Sequence, residues 1–596
     1  MAKIKCHPNE FGRTMQGVGK SRQKGDEIAG TDTMHLIKKC NIPKGKKITY
    51  ARFVSEIRLQ KAEIHRTRLT AGGNLLEYEG KTSTETAGME TIKIHINSTI
   101  SRAKKGARYL CIDIGNMYLN TKLLSPEYMR IHIDLIPEEI REEYNTEEFM
   151  DENGYVYMEV TGAIYGLSQS GYLANQDLIK NLAKHGYHPV KRTPGLWKHE
   201  TRKTTFTLVV DDFGVQYFSK EDADHLIDAI KESYPVKVDW TGSKYVGIDL
   251  KWNYDKEEVI LSMKGYVQKA LKEYQHKAPT KPFDAPTKFH KPEFGQKIQY
   301  EREDKSQPLT AKQIKTIQEV CGKFLYTSRA IDNTMQHALN ELCIAATKGT
   351  QETQEALEYF LNYCATHPEA EIIYRASEMI LSVDSDAAYQ VAPRSRSQAS
   401  GYHYLGNLDG KLFNGAIFIL AKIIKSVMQS AAEAECGGLY MNAKEAVPMR
   451  ITLEELNHPQ PATPMRTDNS TADGIMNKTV KQKQSKSMDM RFYWLQDRVG
   501  QGQFKNFWAP GKINLADYHS KVQPTTVHRA LRPIYLYEKG KSPTTLQGCD
   551  KILESLGTGT PTNAIRYLTK TGSCSKASFS RPQQSPALRR IAVQMK

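Results

Sequence analysis

The sequence predicts a chain of several domains that mixes α/β and α+β architecture. Three observations carry that expectation. Between Arg108 and about Asn253, short β-branched or aromatic runs alternate with helical stretches. Between about Ile372 and about Val522 a second α/β block places its elements in strand–helix–strand–helix order. A charged stretch carrying Pro279, Pro282, Pro286 and Pro292 lies between them and reads as a linker. At 596 residues the chain has room for about three or four domains.

Residues 1–105 form the first region, a basic, Gly-rich segment with Pro43-Lys-Gly-Lys-Lys47 and His65-Arg-Thr-Arg-Leu69. Residues 106–275 form the second. Within it, Arg108-Tyr-Leu-Cys-Ile-Asp-Ile114 reads as a strand that ends around Asp113. Leu208-Val-Val-Asp-Asp-Phe-Gly-Val215 reads as a β-hairpin with Asp211 and Asp212 at its turn. Paired aspartates in a turn are ordinarily solvated turn chemistry. Beside Asp113 they gain a second reading. Three carboxylates at one place can hold two metal ions roughly 3.5–4 Å apart for phosphoryl transfer.

Residues 276–371 are read as the linker followed by a helical connection. Ile314, Ile317 and Val320 mark one helix, and Leu357, Phe360, Leu361 and Cys364 mark another. Residues 372–535 supply four more acids in order. Val383-Asp-Ser-Asp-Ala-Ala-Tyr389 reads as a strand, and Ser426 to Asn442 as a helix containing Ala432-Glu-Ala-Glu-Cys436. Met465-Arg-Thr-Asp-Asn-Ser470 reads as a strand running into a helix capped by Ser470. Asn514-Leu-Ala-Asp-Tyr518 follows a strand, Gln503 to Trp508, and the Ala509-Pro-Gly-Lys512 turn. Glu433 and Glu435 are two apart on a helix and face nearly opposite sides, so only one can enter a site. Asp384 and Asp386 are two apart on a strand and share a face, so both can approach a cation. Residues 536–596 are rich in Ser, Thr, Gly and Pro and read as a disordered tail.

Composition narrows the partners. The chain carries 83 Lys+Arg against 67 Asp+Glu, a net +16, which suits a polyanion, nucleic acid above all. From Leu531 onward there are 11 Lys+Arg against 3 Asp+Glu, half of that excess. Nine scattered cysteines with no CxxC pair argue against a disulfide framework or a structural zinc site. No signal peptide is visible, and the most apolar stretch, Gly415 to Ile424, is too short to span a bilayer. An intracellular protein with no membrane partner is expected, cytoplasmic in a particle or nuclear, and not secreted.

The order of motifs resembles the polymerase end of a copia-type LTR-retrotransposon Pol polyprotein. Asp113-Ile-Gly-Asn-Met-Tyr-Leu-Asn120 is similar to that family's first aspartate motif, and Ile164-Tyr-Gly-Leu-Ser-Gln169 to its substrate platform. Val209-Val-Asp-Asp212 resembles its paired aspartates, Tyr245-Val-Gly-Ile-Asp-Leu250 its primer-gripping strand, and Gly265-Tyr-Val-Gln-Lys-Ala-Leu271 its entry to the thumb. The distal acids resemble the family's RNase H, as does Met488-Asp-Met-Arg-Phe-Tyr-Trp494, where many relatives have His in place of Met488. The resemblance covers about residues 30 to 535.

It implies a right-hand polymerase, with fingers, palm and a helical thumb or connection, followed by an RNase H-like α/β domain. Asp113, Asp211 and Asp212 would carry metal in the polymerase, with Asp211 a likelier direct ligand than Asp212. Asp386, Glu435, Asp468 and Asp517 would do so in the RNase H, with Asp384 the alternative to Asp386. Tyr118 would exclude a ribose 2′-OH, or else be a packed core tyrosine. Gln169 would lie along the incoming nucleotide. Arg66 and Arg68 would clamp the triphosphate, or else be surface arginines. The implied cofactor is Mg²⁺, two ions per site, with Mn²⁺ as substitute. The implied partners are RNA template, DNA primer, RNA–DNA hybrid and dNTPs, and the oligomeric state is left open. The implied function is reverse transcription with RNase H activity. The alternative is an inactive or truncated element copy that only binds nucleic acid. No Asp-Thr/Ser-Gly protease motif, integrase zinc head or zinc knuckle is seen, as expected for the C-terminal part of a polyprotein.

Overall fold

The computed structural model describes residues 33–57, 65–290, 304–480 and 489–558. Its fold class is the mixed α/β and α+β, multidomain one predicted, and the regions expected to form fingers, palm, thumb and distal block keep those labels. Four sheets organise the described residues. The fingers sheet runs Met34–Ile37, Tyr155–Gly162, Lys122–His132, Ile48–Ile57, His65–Ala71. The palm sheet runs Val236–Asp239, Arg108–Ile114, Asp212–Tyr217, Thr205–Val209, Leu196–His199, Tyr187–Pro189.

The Arg108–Ile114 strand is buried on both faces, and its alternation sets what each face does. Leu110, Ile112 and Ile114 enter a core with Leu178 and Leu226 of the covering helices Ser170–Ala183 and Lys220–Lys231. Tyr109 and Cys111 point the other way, into a core shared with Tyr245 and the helix Met89–Ser101. Every residue of that helix from Thr91 to Ile100 is buried. A helix buried all round lies between layers rather than on a surface. On its far side the same core continues through Leu261 and Ile372 to Leu381, Leu439, Met465 and Phe504. Palm and distal block therefore share one apolar core. Arg102 fastens the seam by donating to the carbonyls of Leu456 (2.5 Å) and Asn457, and Ser98 Oγ meets His458 Nε2 at 2.8 Å.

The distal sheet runs Phe418–Ile423, Arg396–Gly406, Ile380–Ala392, Thr463–Thr467, Phe504–Trp508. Its first three strands are antiparallel and the last two join in parallel. The long helix Ala431–Glu455 provides the crossover to the first parallel strand.

Several expectations need correction. The distal block does not open at 372. Glu371–Arg375 closes a four-stranded sheet with Glu258–Ser262, and without it that strand would keep an open edge. The tail is not disordered from 536. Leu546–Thr558 is a helix whose Cys549 is fully buried, packed in a cluster with Tyr404 and Phe413. Its apolar residues Leu546, Cys549, Leu553 and Leu556 recur at helical spacing, a period that the Ser/Thr/Gly/Pro content obscures. Residues 559–596 lie outside the described residues, as does Met488. The expected helix from Ser426 to Asn442 instead starts after Ser430, whose Oγ accepts from Glu433 N, and runs on to Glu455. Asn469, not Ser470, caps the next helix. A third helix, Gln336–Ala345, lies between Ala311–Ala330 and Gln351–Thr366, the two that were expected. No described helix is long and apolar enough to cross a membrane.

Candidate active sites

The palm aspartates meet through strand register. Asp212 lies directly opposite Asp113, and its neighbour Asp211 sits in the tight turn that links Val209 to Asp212. Both aspartates lie at the hairpin tip, Asp211 within the turn and Asp212 closing it as the first residue of the returning strand. The Asp211 carbonyl accepts from Ile114 N (3.1 Å), tying the turn to the central strand. Cross-strand partners project to the same face, so Asp113 and Asp212 face the thumb side together. Val210 holds the turn at φ +59°, a strained conformation for a β-branched residue. Gly214 follows on the same face. A Cβ there would stand 2.1 Å from Tyr109 Oη and 2.8 Å from a Tyr245 ring carbon. Tyr245 in turn donates to Thr207 O (2.8 Å), so the Tyr245 segment packs directly on the aspartate hairpin.

A second tight hairpin, with Val246 at φ +43° and Gly247 at φ +80°, follows Tyr245. Tyr326 of the thumb helix donates to the Val246 carbonyl. Its phenol is pushed up to about 12 by burial, then by Tyr266 and Asp212. The thumb therefore reaches the aspartate face.

On the fingers side the platform motif is locked to a strand by close backbone approach. Ala71 N donates to Tyr165 O (2.8 Å), and a Cβ on Gly166 (φ +98°) would meet Ala71 O at 2.0 Å. The Arg68 guanidinium stacks 4.5 Å over the Tyr165 ring, and Tyr165 meets Tyr118 edge-on at 5.3 Å. Tyr118 is half-buried, and its phenol is raised by burial and then by Asp211. Arg68, Tyr165, Tyr118 and Asp211 thus form one row. Arg66 lies on the same strand as Arg68, but its side chain falls outside the described residues. Gln169 is buried (3% exposed) and donates to Glu127 Oε1 at 3.2 Å.

The distal acids converge more tightly. Asp386, Glu435 and Asp468 present carboxylate oxygens all within 4.8 Å of one another, the one such group among the described residues. Asp386 comes from the central strand and Glu435 from the second turn of the long helix. Asp468 directly follows a parallel strand. Glu435 accepts from Ala387 N (3.2 Å) and Thr467 Oγ1 (3.4 Å). Glu433 is used elsewhere, accepting from Gln429 N (2.6 Å) at the helix start. Asp384 is also occupied. It pairs with buried Arg466 and accepts from Leu515 N (3.0 Å), so the trio takes Asp386. Asp517 leads the short helix Asp517–Ser520 and pairs with Lys521 at 2.5 Å.

Burial, then the charge of Asp517, pushes Asp386 up to about 7. Burial followed by Asp386 and Asp468 raises Glu435 well above the carboxylate range. Asp468 is raised by burial and then Asp517. Like charges held in a buried cluster repel unless protons or a cation neutralise them. An all-oxygen donor set of this kind fits a hard divalent cation such as Mg²⁺.

These geometries accompany sequence similarity to a curated protein. A Retrovirus-related Pol polyprotein from transposon TNT 1-94 of Nicotiana tabacum is 21% identical over 322 residues, which is 53% of this chain. The chain is similar to a retrotransposon Pol polyprotein. It spans 23% of that relative's length. No protein-family profile matches the chain. Among solved structures, a foamy viral protease-reverse transcriptase in complex with ds DNA aligns with 77% of this chain and 66% of its own, at 11% identity and a TM-score of 0.39. An N-terminal RNase H domain from Mycobacterium tuberculosis, solved as a maltose binding protein fusion, aligns with 23% of this chain and 93% of its own, at 14% identity and a TM-score of 0.18.

Sequence reasoning missed Glu127, Tyr165 and Lys521 at these sites. Lys521 had a legible signal, its place four residues after Asp517. Tyr165 lay inside a motif already singled out. Nothing in the sequence pointed from Gln169 to Glu127, which are brought together only by the packing of the fingers sheet on the platform helix.

Proposed function

We propose that this chain is an RNA-directed DNA polymerase with an attached ribonuclease H, copying retroelement RNA into DNA and degrading the RNA of the hybrid. The observation that carries this reading is the presence of two carboxylate sites on one core: Asp113 in register with Asp212 on the palm, and the buried trio in the distal sheet. Neither alone distinguishes a polymerase from another two-metal enzyme. Together with the row from Arg68 to Tyr118, they fit a chain that makes a hybrid and then cleaves it.

In this reading Mg²⁺ supplies activation of the attacking oxygen and charge neutralisation of the leaving group at each site. Asp113, Asp211 and Asp212 would hold it in the palm, and Asp386, Glu435, Asp468 and Asp517 in the distal domain. The protein's own groups do the rest. Tyr118, braced by Tyr165, would stand against the sugar of the incoming nucleotide. Arg68 would offer its guanidinium to the triphosphate. Gln169 would reach the nucleotide by exchanging its hydrogen bond to Glu127. The cleavage site would select the RNA strand through its 2′-OH. The expected substrates are RNA template, DNA primer and dNTPs, with action inside the cell.

The test is Mg²⁺-dependent extension of a DNA primer on an RNA template by the purified chain. Extension that is lost in Asp211→Asn supports the polymerase. Wild-type protein no better than that variant removes it and favours a copy that only binds nucleic acid.

A further inference from the structure

Asp384 stands two residues before Asp386, and Arg466 two residues before Asp468. The two are register partners across the parallel strands that lead to those acids. Residues two apart on a strand share a face. The ion pair between Asp384 and Arg466, with both side chains buried, therefore lies one layer below the trio and ties its two strands together.

The same carboxylate oxygen reaches a third segment. Asp384 Oδ2, which takes the Arg466 guanidinium, also accepts from Leu515 N (3.0 Å). Leu515 belongs to the buried stretch 514–516 that runs into Asp517. Other bonds hold this loop against the same strand. Asn514 Nδ2 donates to Ser385 O (2.8 Å) while Asn514 Oδ1 accepts from Ala516 N (3.0 Å). Ser400 Oγ lies 2.8 Å from Ala516 O and 3.3 Å from Asp386 O. Of these ties, the one from Asp384 comes from a charged group.

We infer that Asp384 is a positioning residue of the distal site, its carboxylate held by Arg466 and fixing the loop that carries Asp517 toward Asp386. This rests on the reading of Asp517 and the trio as the acids of the cleavage site. Asp384 thus acts through the Leu515 backbone rather than on a cation. Removing its oxygen leaves a buried amide without a partner. Slack in the loop then passes to Asp517, two residues on, and a misplacement of about 1 Å near the chemistry can cost roughly 100-fold in rate.

The experiment compares two double variants of the intact chain. Both carry Arg466→Met, because replacing both partners of a buried ion pair avoids leaving one charge unpaired. Asp384→Asn keeps an acceptor for Leu515 N. Asp384→Leu, or Asp384→Ala as a second apolar variant, removes it. Amide exchange over residues 511–521 should stay near wild type with asparagine and quicken several-fold with either apolar residue. Hybrid cleavage in Mg²⁺ should follow the same order. The apolar variants should lose roughly 10–100-fold in kcat, with the KM for hybrid and primer extension unchanged. Wild-type exchange over 511–521 in a folded apolar variant overturns the inference. So does an asparagine variant that keeps wild-type exchange yet loses cleavage as fully as Asp386→Asn, which would make Asp384 a ligand. The exchange measurement needs neither metal nor turnover. It decides the positioning role even if wild-type protein cleaves no hybrid, a result that would remove the ribonuclease reading alone.

Discussion

At the residue scale, two side chains show how packing assigns roles that residue type leaves open. Tyr118 stands between the Tyr165 ring and Asp211, half-buried rather than sealed in a core. Truncation to alanine opens the space beside the aspartates without touching a carboxylate. Tyr118→Ala should therefore incorporate ribonucleotides far more readily while still extending with dNTPs, as measured by single-nucleotide extension with paired rNTP and dNTP titrations. Unchanged selectivity would remove its gate role. Lys93 is a different case. It is buried in the central helix and donates to the carbonyl of Arg329 (2.7 Å), in the last turn of the thumb helix. Helix C-terminal carbonyls favour a cation, but burial pulls the Lys93 pKa down to about 7. A lysine whose pKa falls on folding binds fewer protons in the native state between that value and its ordinary one. Stability then rises with pH across this window and is lost as pH falls through it. The melting temperature should rise less between pH 7 and pH 9 in Lys93→Met than in the wild type. Equal slopes would contradict the buried-charge assignment.

At the element scale, the two tight hairpins position the palm. The aspartate hairpin and the Tyr245 segment lie against each other because Gly214 has no side chain. Gly214→Ala forces a Cβ onto the Tyr109 hydroxyl and the Tyr245 ring, an overpacking that typically costs about 1–3 kcal/mol. It should lower the melting temperature and depress primer extension more than hybrid cleavage, since the distal sheet is untouched. Equal loss of both would mean that the hairpin is not a local seat. The existence of this hairpin was legible, because apolar runs flank a turn signal. Its register was not. Turn length decides whether Asp211 or Asp212 opposes Asp113, and the string Val-Val-Asp-Asp allows either. The distal acids were legible in order because each falls at a strand or helix end. The choice of Asp386 over Asp384 was left open because it depends on Arg466, distant in sequence, which claims Asp384. The C-terminal helix was hidden by its composition, and the strand Glu371–Arg375 by a partner more than a hundred residues away.

At the scale of the whole molecule, the central helix Met89–Ser101 joins what the sequence divides. Ile92, Ile96 and Ile100 belong to the same core as Leu381, Leu439 and Met465. The sequence assigned this helix to an N-terminal segment. Its burial between palm and distal sheet depends on long-range packing that local periodicity does not report. A shared core couples the stability of the two blocks. Ile96→Ala should cost about 2–5 kcal/mol, as for other fully buried large-to-small changes. It should shift the unfolding of both blocks together in hydrogen-exchange or calorimetric traces. Loss confined to the palm would show that the seam is a contact between independent domains. The central claim is that one folded chain carries two separable metal-dependent sites. The most direct measurement follows primer extension and hybrid cleavage together in Mg²⁺, for wild type, Asp113→Asn and Asp468→Asn. The predicted result is both activities in wild type, cleavage alone in Asp113→Asn and extension alone in Asp468→Asn. Wild-type protein that performs neither reaction, or variants that lose both together, would contradict it.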